Sequence, residues 1–281
     1  PAAAVHVQAG EALRLRDGGQ IFGSTLGDTD AGSVTVASPR IDLQGGSAVT
    51  GIFAGALGRG RGGAIALDAT QLTVTDGARI STTTSSSSGS AGSVAVQADR
   101  IVIDGRGLAS GIDSYAYGDS GDAGQVQVLA REQLQLLRGG SITAGTLGRG
   151  SPGTIDVRAG TLQLDGRGAP DSFTGIAGDA LFRGTGAAVT VQATRLEVLE
   201  GSGISTSTQS ARAGQPLRVI ADSLLIDGGG NATTATGISA DTGGAGDAGS
   251  LTIQARAFSV VGEGLVSTST LGSGRGGAMA I

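Results

Sequence analysis

AGSVTV at 31–36, AGSVAV at 91–96 and AGSLTI at 248–253 are one phrase written three times: a small-residue turn followed by apolar, any, apolar. Weaker copies fill the rest of the chain. Taking the first apolar residue of each as an anchor gives Val5, Val34, Ile65, Val94, Val126, Ile155, Val189, Leu217, Leu251 and Met279. Successive spacings are 29, 31, 29, 32, 29, 34, 28, 34 and 28 residues, so short and long units alternate. A fixed period of this size is the signature of a repeat architecture.

The two unit types differ in content as well as length. A short unit reads IALDATQLTVTDGARISTTTSSSSGSAG at 65–92, and the units at 189 and 251 likewise run through two alternating segments into GISTST or GLVSTST. A long unit reads RIVIDGRGLASGIDSYAYGDSGDAG at 100–124, with its Gly-Ile pair returning as Gly51-Ile52, Gly111-Ile112, Gly175-Ile176 and Gly237-Ile238. Gln44 to Ile52 and Asp104 to Ile112 are 8 residues apart, whereas Asp165 to Ile176 and Asp227 to Ile238 are 11. Such length variation at one position marks a solvent-facing loop.

Each unit holds three short alternating segments, as at Val94–Val96, at Ile101–Ile103 and around Ile112, separated by Gly, Asp and Ser. Period-two alternation bounded by turn residues indicates strands, and an apolar spacing of two is incompatible with the 3.6-residue period of a helix. Val94 and Val96 are then expected inside and Ala95 outside. Three strands per unit predict one coil of an all-β, right-handed parallel β-helix: a single domain over 1–281 with about nine coils of 28–34 residues in alternating short and long modules. At the usual strand spacing, nine layers make a rod about 43 Å long. Right-handedness is the common choice for right-twisted strands. A β-propeller, an antiparallel β-roll and a division of each pair of units into three coils of about 20 fit the three-segment unit less well. Val5 and Met279 both sit in ordinary anchors, so both ends read as uncapped, and the chain is expected to continue or to stack end to end.

Composition agrees. With 53 Gly, no Trp, 2 Tyr and 5 Phe, the core must be made of Val, Ile, Leu and Ala in thin layers. Glycine without a three-residue period excludes collagen, and recurring β-branched residues exclude a low-complexity disordered chain. Cysteine is absent, so no disulfide or thiolate metal site braces the fold. A net charge of −5 gives no reason to expect nucleic acid. There is no run of 18 apolar residues, and the start at Pro1 lacks the charged and apolar regions of a signal peptide.

The stretches DGARISTTT at 76–84, GSGISTSTQSARAG at 201–214 and IDGRG at 103–107 resemble the repeat regions of filamentous-haemagglutinin-like exoproteins of two-partner secretion, which are large bacterial surface adhesins. The likeness is one of pattern over nearly the whole chain. It implies a β-helix secreted by a Gram-negative cell through an outer-membrane transporter and displayed at the cell surface. There it would act in adhesion, aggregation or biofilm structure, its partners being a host or neighbouring-cell surface or a polysaccharide matrix. The family's secretion domain carries an Asn-Pro-Asn type motif, which the single asparagine, Asn231, does not supply.

Candidate sites are weighed against turn chemistry. Asp104, Asp165 and Asp227 share one position of successive long units, with Arg106 and Arg167 two residues on, a row that a carbohydrate-active β-helix enzyme could use for acid–base work. Asp-Gly after a strand is also a standard turn, and that reading is preferred. GDSGDAG at 118–124 and GGAGDAG at 243–249 offer hard oxygen ligands for calcium, but without the spacing of a tandem calcium roll. LGRGRGG at 57–63 and LGSGRGG at 271–277 lack the interleaved aromatics of an RNA-binding segment and read as surface turns. His6 alternates outward and has no second His or Cys beside it. Tyr115 and Tyr117 form an aromatic pair in a long-unit loop, able to meet a sugar or partner. STTTSSSS at 81–88 and STST at 205–208 and 267–270 should stack as hydroxyl ladders, and Asn231-Ala232-Thr233 is a formal glycosylation sequon. No catalytic, cofactor-binding or metal residue is assigned. The expected function is a non-catalytic adhesive stalk, the alternatives being a self-assembling filament subunit and a carbohydrate-active enzyme.

Overall fold

The structure is a computed structural model that describes residues 3–85, 88–178, 184, 186–230 and 235–281. All its strand pairings are parallel, and the described residues contain no helix. The chain winds as a β-solenoid of about nine turns. A 13-stranded sheet carries the first two segments of the coils, and a nine-stranded sheet carries the third.

The anchors read from sequence are the ladder itself. Val5 pairs with Val34, Val34 with Ile65, Ile65 with Val94 and Val94 with Val126. The anchors then stay in register through Ile155, Val189, Leu217 and Leu251 to Met279, the register shifting only at the corners after Ala98 and Ala130. Parallel stacking in register places like residue on like residue, so the interior consists of aliphatic columns. In the second sheet the column is built of Ile52, Ile80, Ile112, Ile142, Ile176 and Ile204, every one fully buried. Val94 and Val96 point in and Ala95 out, as period-two alternation requires. Among the described residues no aromatic side chain is fully buried, and Phe258, paired with the inward Leu224, packs against the core while partly exposed.

The expected three-sided coil is built with one refinement. In the first three coils the first two segments are separate strands, as in Val34–Ala37 and Arg40–Gln44. From the fourth coil on they fuse into single long strands such as Val94–Asp104 and Gln125–Leu137. Pro39 occupies the corner of the second coil, where it has no N–H to give to the ladder, and its carbonyl accepts from the backbone of both Thr70 and Gln71. Where the corner instead holds Ala98 and Asp99, pairing continues with only a register shift against the fifth coil.

The alternation of short and long modules has a physical basis in a bond that crosses from one to the other. Four of the five short modules turn on a type I′ pair with both central residues at positive φ, such as Asp76 (56°) and Gly77 (87°), closed by the Ala78 amide donating to the Thr75 carbonyl at 3.0 Å, whereas at Glu200-Gly201 only the glycine is at positive φ. The glycine of that turn then donates to a hydroxyl of the following long module. Gly18 donates to Thr50 Oγ1, Gly77 to Ser110 Oγ, Gly139 to Thr174 Oγ1 and Gly201 to Thr236 Oγ1, all at 2.7–2.9 Å. Two coils therefore form the structural repeat.

Candidate functional site

The aspartate row does the work of turns. The Asp104 Oδ1 accepts from the Arg106 backbone at 3.1 Å, Asp165 Oδ1 from the Arg167 backbone at 3.1 Å, and Asp227 Oδ1 from the Gly229 backbone at 2.9 Å. Both oxygens of Asp104 also accept from the Arg138 guanidinium of the next coil, and Arg167 folds back on Asp165. These carboxylates are engaged by donors on their own and neighbouring turns. The acidic glycine turns behave likewise: Asp122 accepts from the Ser151 amide at 2.6 Å and Asp247 from the Arg275 amide at 2.8 Å. Each holds the next coil's loop in place. Among the described residues no group of three or more His, Cys, Asp or Glu is arranged to hold a metal.

The remaining sequence candidates fall where the period-two parity sends them, with two corrections. His6 is exposed, and Arg59, Arg61 and Arg275 lie on exposed turns. The serines and threonines do not line one face: Ser205 and Ser207 face out, whereas Thr206 and Thr208 face in and are buried. Among the inward hydroxyls, Thr82 donates to the Gly92 carbonyl, Thr206 to Gln215 and Thr268 to Gly277, each closing its own coil's glycine loop, while Thr208, Thr242 and Thr270 stack one above the other from coil to coil. The second correction concerns Tyr115, which lies on the strand Ser110–Ala116 and not in a loop. The sequon at 231–233 lies outside the described residues.

That longer strand creates a site. Second-sheet strands are three or four residues long in most coils but seven in Ser110–Ala116 and Gly140–Thr146, which carries outward parity from Asp113 to Tyr115 and on toward Tyr117. The two tyrosine rings stack with centroids 5.8 Å apart and planes 14° from parallel. Beside them Asp113, although outward-facing, is only 3% exposed. It accepts from Ser81 Oγ at 2.5 Å and pairs with Arg79 Nη1 at 3.2 Å, both from the coil below. Burial pushes the Asp113 carboxyl above the usual carboxylate range, opposed by the Arg79 charge and the Ser81 hydroxyl. Burial and the nearby Asp113 charge also push the Tyr117 phenol up.

Comparison with family models, with curated proteins and with solved structures finds no match to this chain. The site is therefore read from its own chemistry. Reasoning from sequence names the tyrosines, takes Ser81 only as part of a hydroxyl row, and passes over Asp113 and Arg79. The available signal is that the chain's only two tyrosines share outward parity with an aspartate two residues earlier.

A second concavity, about 510 Å³, runs over the outer face of the first sheet. Ala66 and Ala95 floor it, because these outward positions carry no more than a methyl group, and Thr35, Gln127 and Asp156 continue the same row. Four of its polar side chains pair among themselves: Gln97 donates to Asp68, and Arg158 pairs with Asp156.

Proposed function

We propose that this chain is a stiff, non-catalytic β-solenoid segment of a secreted bacterial cell-surface protein, holding an adhesive face away from the cell. The observation that carries this reading is the unbroken ladder from Val5 to Met279, in which each coil repeats the last and the turn carboxylates are used to join coils. A regular solenoid of this kind gives length and stiffness from nearest-neighbour contacts alone. The likeness of DGARISTTT and GSGISTSTQSARAG to exoprotein repeats supports the cell-surface setting.

Beads coated with the purified chain test this reading. They should be retained on layers of host or neighbouring bacterial cells and on their polysaccharide matrix, above beads coated with an inert protein. Retention no greater than the control would refute adhesion, and release of soluble sugar from the matrix would favour the enzyme reading. Long filaments of the chain alone in electron micrographs would favour a self-assembling subunit.

A further inference from the structure

We propose that the Tyr115–Tyr117 ledge binds neutral pyranose saccharides, as part of an extended hexose chain lying along the rod on the outer face of the second sheet. The proposal rests on the adhesive reading for its setting and names the site and the ligand class. Its first support is placement. Four of the chain's seven aromatics, Phe22, Phe53, Tyr115 and Tyr117, stand at outward positions on, or just past, strands of this one sheet within the first four coils. Phe22 and Tyr117 are about half exposed, at 51% and 48%.

The second support is shape. Rings in full face-to-face contact would sit about 3.5–4 Å apart. At 5.8 Å the tyrosine rings are nearly parallel but offset, and present a stepped aromatic strip. Such a strip suits the C–H face of a sugar ring. Ser81, Thr83 and Ser85 of the third coil separate this strip from Phe22 and Phe53, so the apolar surface is broken into two narrow pieces. Neither piece offers the ~800 Å² per partner of a stable protein interface. Phe53 stands in one column with Ser81 and Asp113, two coils or roughly 10 Å from Asp113 at the usual layer spacing, and Tyr115 lies two positions further along that strand.

The third support is polarity. Arg79 gives Nη1 to Asp113, and its side chain remains 42% exposed. A guanidinium carries five N–H donors, so others are left for sugar hydroxyls. The half-exposed Thr83 and Thr143 flank the same strip. Because Asp113 offsets the Arg79 charge and the chain carries a net −5, a neutral saccharide is favoured over an anionic one.

The chain reports on its own site, since with two Tyr and no Trp its intrinsic emission arises from Tyr115 and Tyr117. Titration with soluble neutral hexose oligosaccharides should change that emission saturably, with affinity rising with chain length. Tyr117→Ala should weaken binding about tenfold or more while Tyr117→Phe, which keeps the ring, stays within about threefold of the parent. Both variants should keep the parent's melting temperature, since Tyr117 lies outside the core. No saturable response in the parent, unchanged affinity in Tyr117→Ala, or tighter binding of a polyuronate of equal length would each overturn the proposal. The bead assay separates this from the broader reading. Beads that adhere without any emission response leave adhesion standing and remove the saccharide site. Saturable binding without bead adhesion does the reverse.

Discussion

Asp113 shows how far a neighbouring coil can change one residue. Its position faces outward, yet its side chain, held by Arg79 and Ser81 of the coil below, is only 5% exposed. Desolvation disfavours the charged form of a carboxyl, and here it outweighs the attraction of Arg79, so the folded-state pKa lies above 3.8. A carboxyl raised on folding contributes stability that is fully present below the unfolded value and is lost as pH rises through the folded one. Thermal stability should therefore step down as pH climbs above about 3.8. In Asp113→Asn the amide oxygen still accepts from Ser81 and no charge is buried. Melting curves taken across this range should lack the step, and at neutral pH the variant should melt no lower than the parent. A markedly lower neutral melting point would mean that the Arg79 pair outweighs the burial. None of this is legible from sequence, where Asp113 is one acid among many in a turn-rich chain. Its burial comes from residues 32 and 34 positions away, which period-two parity cannot supply.

At the scale of the element, the columns of the solenoid explain the abundance of glycine. Where the loops stack, a Cβ added to Gly92 would lie 1.9 Å from the Gly63 carbonyl oxygen, and one on Gly124 would lie 1.9 Å from that of Gly92. These contacts are with backbone, which cannot swing aside. Gly92→Ala should therefore cost about 1–3 kcal/mol, the range for overpacking a well-filled site, and lower the melting temperature measurably. Gly27→Ala, with no atom within 4 Å of the added methyl, is the matched control and should melt with the parent. The columns are also why so much of the architecture can be read in advance. Parallel in-register stacking turns an alignment of the chain with itself into a map of spatial neighbours, so the anchors Val34, Ile65 and Val94 fall directly above one another. The loop at 166–173, exposed along most of its length, lies where the three-residue insertion places it. Strand length is what the pattern leaves open. The first three coils keep two separate segments whether the corner holds Gly10, Pro39 or Thr70, and the extension that lifts Tyr115 out of a loop depends on seven-residue pairing with Gly140–Thr146.

For the whole molecule, stability follows from each coil having a neighbour above and below. Strand pairing runs from each coil to the next, as a one-dimensional stack requires, so the unfolding of one coil removes ladder partners only from those beside it, although the Ser172 hydroxyl of the sixth coil also reaches the Gly107 carbonyl of the fourth. Interior coils are sealed from both sides: Val126, Leu134 and Ile142 of the fifth coil are fully buried. The corresponding Val5, Leu13 and Ile21 of the first coil are only partly buried and pack on the core from one side. Local opening is easiest where buried apolar contacts are fewest. Hydrogen exchange followed by mass spectrometry on the 281-residue chain should therefore find its slowest amides in the middle coils, around Val126 and Ile155, with protection falling stepwise toward both ends. Uniform protection from first coil to last would instead mean that the rod opens as one cooperative unit. The cross-coil bonds from turn glycines to long-module hydroxyls sharpen this expectation. Because Gly77 is tied to Ser110 and Gly139 to Thr174, the steps should come in pairs of coils rather than singly, matching the two-module repeat of the sequence.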